Sequence, residues 1–109
     1  MLKKRYVKSR QVCKVTFEIP KADLPKGVQV ESVCLVGEFN DWNMTDTPMT
    51  RNRRGNFRVM IELAPGRAYE FRYLINGKHW YNDWQADAYV PGAFGADNSV
   101  VLTLTGDET

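Results

Sequence analysis

Between Tyr69 and Ile75 the chain alternates without a break. Tyr69, Phe71, Tyr73 and Ile75 fall on one side, and Glu70, Arg72 and Leu74 on the other. A period of two in residues that favour strands describes a strand with one face against a core. Asn76-Gly77 follows at once, and both residues tolerate positive φ, so a tight hairpin is the natural continuation. The returning segment is unusual. His79, Trp80, Tyr81 and Trp84 crowd three large aromatics and the only histidine into six residues, interrupted by Asn82 and Asp83. A core does not need so much aromatic surface mixed with polar groups at the mouth of a hairpin. The stretch reads as the edge of a binding surface.

The same periodicity recurs elsewhere. From Gln11 to Ile19, Cys13, Val15, Phe17 and Ile19 share a face, and Pro20 ends the strand. Val28 to Gly37 reads as a second strand, whose run Val33-Cys34-Leu35-Val36 is apolar throughout, as in a strand covered on both sides. Glu38 to Thr47 is turn-like around Phe39 and Trp42, and Met44 to Thr50 is expected to hold a short strand. Phe57 to Leu63 alternates again. Ala86 to Asp97, with Pro91, Gly92 and Gly95, reads as irregular, and Ser99 to Leu104 as a closing strand. No segment carries a 3.6-residue period. About seven to eight short strands with regular turn signals predict an all-β, antiparallel β-sandwich.

At 109 residues the chain is long enough for one domain with a real core, and too small for a core plus an enclosed active site. Lys3, Lys4, Arg5, Lys8 and Arg10 precede any acidic residue, so residues 1–10 are expected to form a solvated basic tail before a domain at 11–105. Gly106 to Thr109 is expected to fray. Lys14 and Glu18 interrupt any apolar signal region, and no run is long enough to span a membrane. Cys13 and Cys34 have no CxxC spacing and read as free thiols, with a cytoplasmic location expected.

Enzyme readings fail early. His79 has no nucleophile elbow and no metal-ligand partners at useful spacing, so neither a metal nor a cofactor is expected. The acid pairs Glu38 with Asp41 and Asp83 with Asp87 could suggest glycoside hydrolysis, which needs two carboxylates. A small sandwich offers no cleft to split their pKa values, and these groups read as solvated loop residues. The tryptophans are more informative. Sugars present flat patches of C–H with hydroxyls around the rim, which suit exposed aromatic rings flanked by amides, carboxylates and cations. Trp42, Trp80 and Trp84 lie among Asn40, Asp41, Asn43, Asn82, Asp83 and Asn98. They form either such a platform or plugs for the ends of the core. Acidic residues among the aromatics argue against single-stranded nucleic acid, and neither nucleic acid nor a membrane is an expected partner.

The segment Val33-Cys34-Leu35-Val36-Gly37-Glu38-Phe39-Asn40-Asp41-Trp42 resembles the opening motif of family-48 carbohydrate-binding modules. These include the glycogen-binding domain of the AMP-activated kinase β subunit and the N-terminal domains of isoamylases and branching enzymes. The resemblance continues in order through Pro48-Met49, Gly55-Asn56-Phe57, Leu63-Ala64-Pro65-Gly66 and the Tyr69–Gly77 hairpin, to Asp83 and Asn98-Ser99-Val100-Val101. It implies an immunoglobulin-like, early-set sandwich that binds α-1,4-linked glucan, polysaccharide or oligosaccharide, without catalysis. It further implies a site of Trp42, Arg72, Trp80, Phe94 and Asn98. Family members are usually fused to a catalytic or regulatory domain. This chain ends at Thr109 with neither, so a free-standing module or an adaptor for a glycogen- or starch-metabolising enzyme is the expected role. The alternative is a protein-interaction domain of the same fold that has lost sugar affinity and partners such an enzyme or a kinase.

Three positions depart from the family pattern. Ala96 stands where the kinase version has threonine, and Trp84 where proline is common. The hairpin also carries one extra residue before Trp80. If Asn76-Gly77 alone form the loop, Tyr73 faces Trp80, which then joins the core side. If Asn76, Gly77 and Lys78 form a three-residue loop, Leu74 faces Trp80, which then shares the outer face with Arg72. Binding requires the second register, and that is the one expected.

Overall fold

Alternation along the chain builds two antiparallel sheets packed face to face. The structure, a computed structural model, describes residues 2–106 apart from the side chain of Phe94. Its strands are β1 Leu2–Val7, β2 Val12–Ile19, β3 Val33–Gly37, β4 Thr50–Arg51, β5 Phe57–Leu63, β6 Ala68–Ile75, β7 His79–Tyr81, β8 Ala88–Pro91 and β9 Asp97–Leu102. One sheet has the order β1-β2-β5-β4. The other has the order β3-β6-β9-β8, with β7 also paired to β6. The result is the expected immunoglobulin-like β-sandwich, with no α-helix among the described residues.

The core lies between the sheets. Cys13, Val15, Phe17, Ile19, Phe57 and Leu63 come from one sheet, and Val33, Leu35, Phe71, Tyr73, Ile75 and Val101 from the other. Phe71 meets Phe17 edge-on at 5.0 Å and Tyr73 edge-on at 5.6 Å, a geometry that sets ring edges against ring faces. Val36, Leu74 and Val100 have the opposite parity and are buried as well. They give the outer face of the second sheet an apolar floor of its own. Cys13 and Cys34 are both free thiols, and burial pushes the Cys34 thiol above its ordinary pKa.

Four expectations need correction. Residues 2–7, read as solvated tail, form β1 alongside residues 12–17 of β2, with Tyr6 opposite Cys13 and Leu2 opposite Phe17. Lys4 reaches across to Asp87 at 2.6 Å and ties the β1 edge of one sheet to the segment leading into β8 of the other. Residues 28–32, read as strand, are fastened instead to the hairpin turn. The Asn76 amide accepts from the Glu31 and Ser32 N–H groups and donates to the Gln29 carbonyl. The short strand expected over 44–50 shrinks to a bridge between Pro48 and Cys34, followed by β4. Finally, the segment 86–97 contains β8, an edge strand, where a terminal proline breaks no ladder bond that the sheet needs. Of the end expected to fray, Gly106 packs against the Tyr6 ring, and 107–109 lie outside the described residues.

Candidate binding site

The loop after β3 has a local logic that explains its sequence. A Cβ on Gly37 would lie 2.6 Å from the Glu70 carbonyl and 2.8 Å from both Phe39 and Phe71, so only glycine fits. Phe39 turns inward, packing on Phe17 at 5.6 Å and Tyr69 at 6.0 Å. The Asn40 amide then laces the loop. It accepts from Gly37 N–H at 3.0 Å and donates to the Leu35 carbonyl at 2.9 Å and to Thr47 Oγ1 at 3.0 Å. Asp41 and Trp42 both take left-handed backbone conformations, with φ of 56° and 57°. For residues other than glycine that costs about 1–2 kcal/mol each. The reversal closes with Trp42 N–H on the Gly37 carbonyl at 2.8 Å. It leaves the Trp42 ring 38% exposed.

The hairpin supplies the facing ring. Asn76 and Gly77 have φ of 54° and 71°, and Lys78 N–H returns to the Ile75 carbonyl at 3.1 Å. Leu74 faces Trp80 and Tyr73 faces Tyr81. This is the three-residue loop, and it puts Trp80 on the outer face beside Arg72, 43% exposed. Tyr81 takes the inner side and packs against the core.

Between the two rings lies a polar row. β3 occupies one edge of β6 over residues 71–75, so β9 and β7 share the other edge, β9 over 68–71 and β7 over 73–75. Arg72 sits at the seam between them. Its Nε–H donates to Asn98 Oδ1 at 2.6 Å, and Asn98 Nδ2 donates to Glu70 Oε1 at 2.9 Å. The row fixes the orientation of the Asn98 amide, which is itself buried. The turn after β8 lies over this pair. A Cβ on Gly92 would meet the Ala96 carbonyl at 2.7 Å, Asn98 Oδ1 at 2.9 Å and the Arg72 guanidinium at 3.0 Å.

Trp42, Arg72, Trp80 and Asn98 therefore line one open groove of about 530 Å³, completed by Met44, Ala93 and Ala96. Four of the five residues expected at the site converge there. The fifth, Phe94, lies in the turn Ala93–Gly95 between two lining alanines, and its side chain is outside the described residues. Met44 and Ala93 were not singled out from the sequence, and neither type signals a ligand contact alone. Met44 leaves a turn held by Asn43 Oδ1, which accepts from the Thr45 and Asp46 N–H groups at 2.9 and 3.0 Å. Apolar ring faces flanking a guanidinium and an amide suit a neutral ligand that carries both C–H faces and hydroxyls.

Asp83, read as a solvated loop carboxylate, is buried. It accepts from the Tyr73 hydroxyl at 2.6 Å and from Gln85 N–H at 2.8 Å, and its own N–H donates to Ser99 Oγ at 2.9 Å. Burial, reinforced by the adjacent Asp83 charge, holds the Tyr73 hydroxyl protonated well above its usual range. Among the described residues no cluster of three metal-ligating side chains occurs.

Residues 26–103 match the family model described as the glycogen recognition site of AMP-activated protein kinase. The chain belongs to this family. The glycogen-recognition module is also 39% identical over 51 residues to Protein FLOURY ENDOSPERM 6, chloroplastic, of Oryza sativa subsp. japonica. That alignment covers 47% of this chain and 9% of the relative, so the module spans only a small part of that protein's length. The family match takes in the Trp42 loop, the hairpin and the strand carrying Asn98, and so the whole groove.

Proposed function

We propose that the module binds an α-1,4-linked glucan, glycogen- or starch-like, in this groove without transforming it. Trp42 and Trp80 stack on sugar faces, Arg72 and Asn98 hydrogen-bond hydroxyls, and Phe94, carried over from the family pattern, adds an apolar contact. The observation that carries the reading is convergence. A loop, two strands of one hairpin and the start of β9 bring two exposed tryptophans into one groove with a guanidinium–amide pair. Rings set at an angle suit a curved helical chain, whereas a flat crystalline chain prefers coplanar rings.

Affinity electrophoresis tests this directly. The module should be retarded in gels containing glycogen or amylopectin and not in gels containing cellulose. Retardation should barely change with salt, because stacking and neutral hydrogen bonds are not screened. Equal retardation by cellulose would remove the α-glucan assignment. Migration unaffected by every polysaccharide would favour a protein-interaction domain that keeps the fold.

A further inference from the structure

Trp80 lines a second groove. It has a volume of about 560 Å³, and Trp80 is the one residue it shares with the lining of the first groove. The rest of its wall includes Trp84, Tyr89, Asn82 and Asp97. Trp84 is 69% exposed and Tyr89 47%. Neither ring is left loose. Trp84 meets Tyr81 edge-on, at 6.2 Å and 86°, and Tyr81 is packed against the core. The Tyr89 hydroxyl donates to the carbonyl of Asp83, whose N–H is fastened to buried Ser99. Asn82 is fixed as well, donating to the Asp97 carbonyl at 2.9 Å and accepting from Ser99 Oγ at 2.8 Å.

A tryptophan exposed to this degree, yet braced from behind, presents apolar area to solvent in a fixed orientation. Such surfaces mark binding sites. The chemistry of the wall narrows the ligand. No lysine or arginine lines this groove, so phosphate finds no counter-charge. Aromatic faces with an exposed carboxylate at Asp97 suit a ligand that offers C–H patches and hydroxyl donors. The groove also adjoins the first at Trp80, which lines both.

We infer that Trp84 and Tyr89 build a second subsite for the same glucan chain, an inference that rests on the glucan reading of the first groove. A chain long enough to pass over Trp80 places further glucose units against Trp84, with Asp97 and Tyr89 at the hydroxyl rim. Affinity therefore rises with chain length beyond what the first groove holds.

Calorimetric titration with maltotriose and maltoheptaose separates the possibilities, using the full chain, Trp84→Ala and Trp42→Ala. Trp84→Ala should weaken maltoheptaose binding by about tenfold or more, the scale of one lost stacking surface. It should leave maltotriose binding unchanged, and Trp42→Ala should weaken both. Thermal melting of Trp84→Ala should match the parent, since the ring is mostly exposed. Unchanged maltoheptaose affinity in Trp84→Ala, or equal loss of both sugars, would overturn the second subsite while leaving the first intact. If the unaltered chain binds neither sugar, the glucan reading itself falls and takes the subsite with it. Salt-sensitive binding of choline, abolished by Trp84→Ala while maltoheptaose is unaffected, would make the groove an aromatic cage for a cation and also overturn the proposal.

Discussion

Asn40 touches neither groove, yet its removal should disable the first. Its amide makes three hydrogen bonds to the loop that turns Trp42 outward, together about 3 kcal/mol at about 1 kcal/mol each. Against them stand Asp41 and Trp42 in left-handed conformations, which store roughly 2–4 kcal/mol between them. The two terms are nearly equal. In Asn40→Ala the strained reversal keeps only its backbone bonds, chiefly Trp42 N–H to the Gly37 carbonyl, and opening returns much of what the lost bonds gave up. Global stability should therefore fall by only about 1–2 kcal/mol, because Phe39 and the strands beneath stay packed. Glycogen retention should be largely lost, because Trp42 is no longer aimed. Asn40→Asp keeps the acceptor for Gly37 N–H and gives up both donors, so it should fall between parent and alanine. Urea unfolding and affinity electrophoresis, run on the same preparations below the melting transition, read the two quantities separately. Full retention by folded Asn40→Ala would refute the claim that the amide aims the ring.

Trp42→Ala and Trp80→Ala should each cost binding about 1–3 kcal/mol, by analogy with base stacking. Melting should fall well short of the roughly 3–5 kcal/mol loss of a buried tryptophan, and a core-sized loss in both would return them to the core. Arg72→Ala should weaken retention and leave melting nearly unchanged, and unaltered retention would remove Arg72 from the site. Tyr73 sets an alkaline limit. Its folded pKa lies well above its usual value, about 10 in the unfolded chain, so its contribution is complete below about pH 10 and is lost as pH rises toward the folded pKa. Unfolding free energy measured from about pH 8 to about pH 11 should therefore decline, and Tyr73→Phe, though less stable at neutral pH, should flatten that decline. Deleting residues 1–10 should lower the melting temperature and promote aggregation, since it exposes the β2 edge and discards Leu2, whose partial burial is worth roughly 1–2 kcal/mol. A deletion variant that melts like the parent would show that β1 adds nothing to the sandwich.

What the sequence disclosed was whatever had a period or an obligatory residue. Alternation in Phe57–Leu63 and Ala68–Ile75 marks strands with one buried face. Parity around Asn76-Gly77-Lys78 left two registers, and the requirement that Trp80 share the face of Arg72 chose the one the structure has. The convergence of Arg72 and Asn98 was legible only through the family resemblance, since 26 positions separate them. β1 was hidden because an edge strand tolerates lysines and arginines on its open side, and the same residues describe a solvated tail. Residues 28–32 looked like strand, and a side chain 44 or more positions away, Asn76, claims their backbone groups. Asp83 looked solvated because nothing local announces the Tyr73 hydroxyl and Ser99 that enclose it. None of these pairings leaves a periodic signal, and most join positions too far apart for any short window along the chain to contain both.

All three tryptophans stand outside the core, at 38%, 43% and 69% exposure; Trp42 lines the first groove, Trp84 the second, and Trp80 both. The aromatic core is built from phenylalanine and tyrosine instead. Intrinsic fluorescence excited at the red edge of the absorption band thus comes from the grooves alone. The emission should shift to shorter wavelength when a ligand covers the indoles, and to longer wavelength when the fold melts and the partly covered rings become fully solvated. The chain carries its own optical probe of occupancy, and replacing Trp42 or Trp84 alone would assign the signal to one groove or the other.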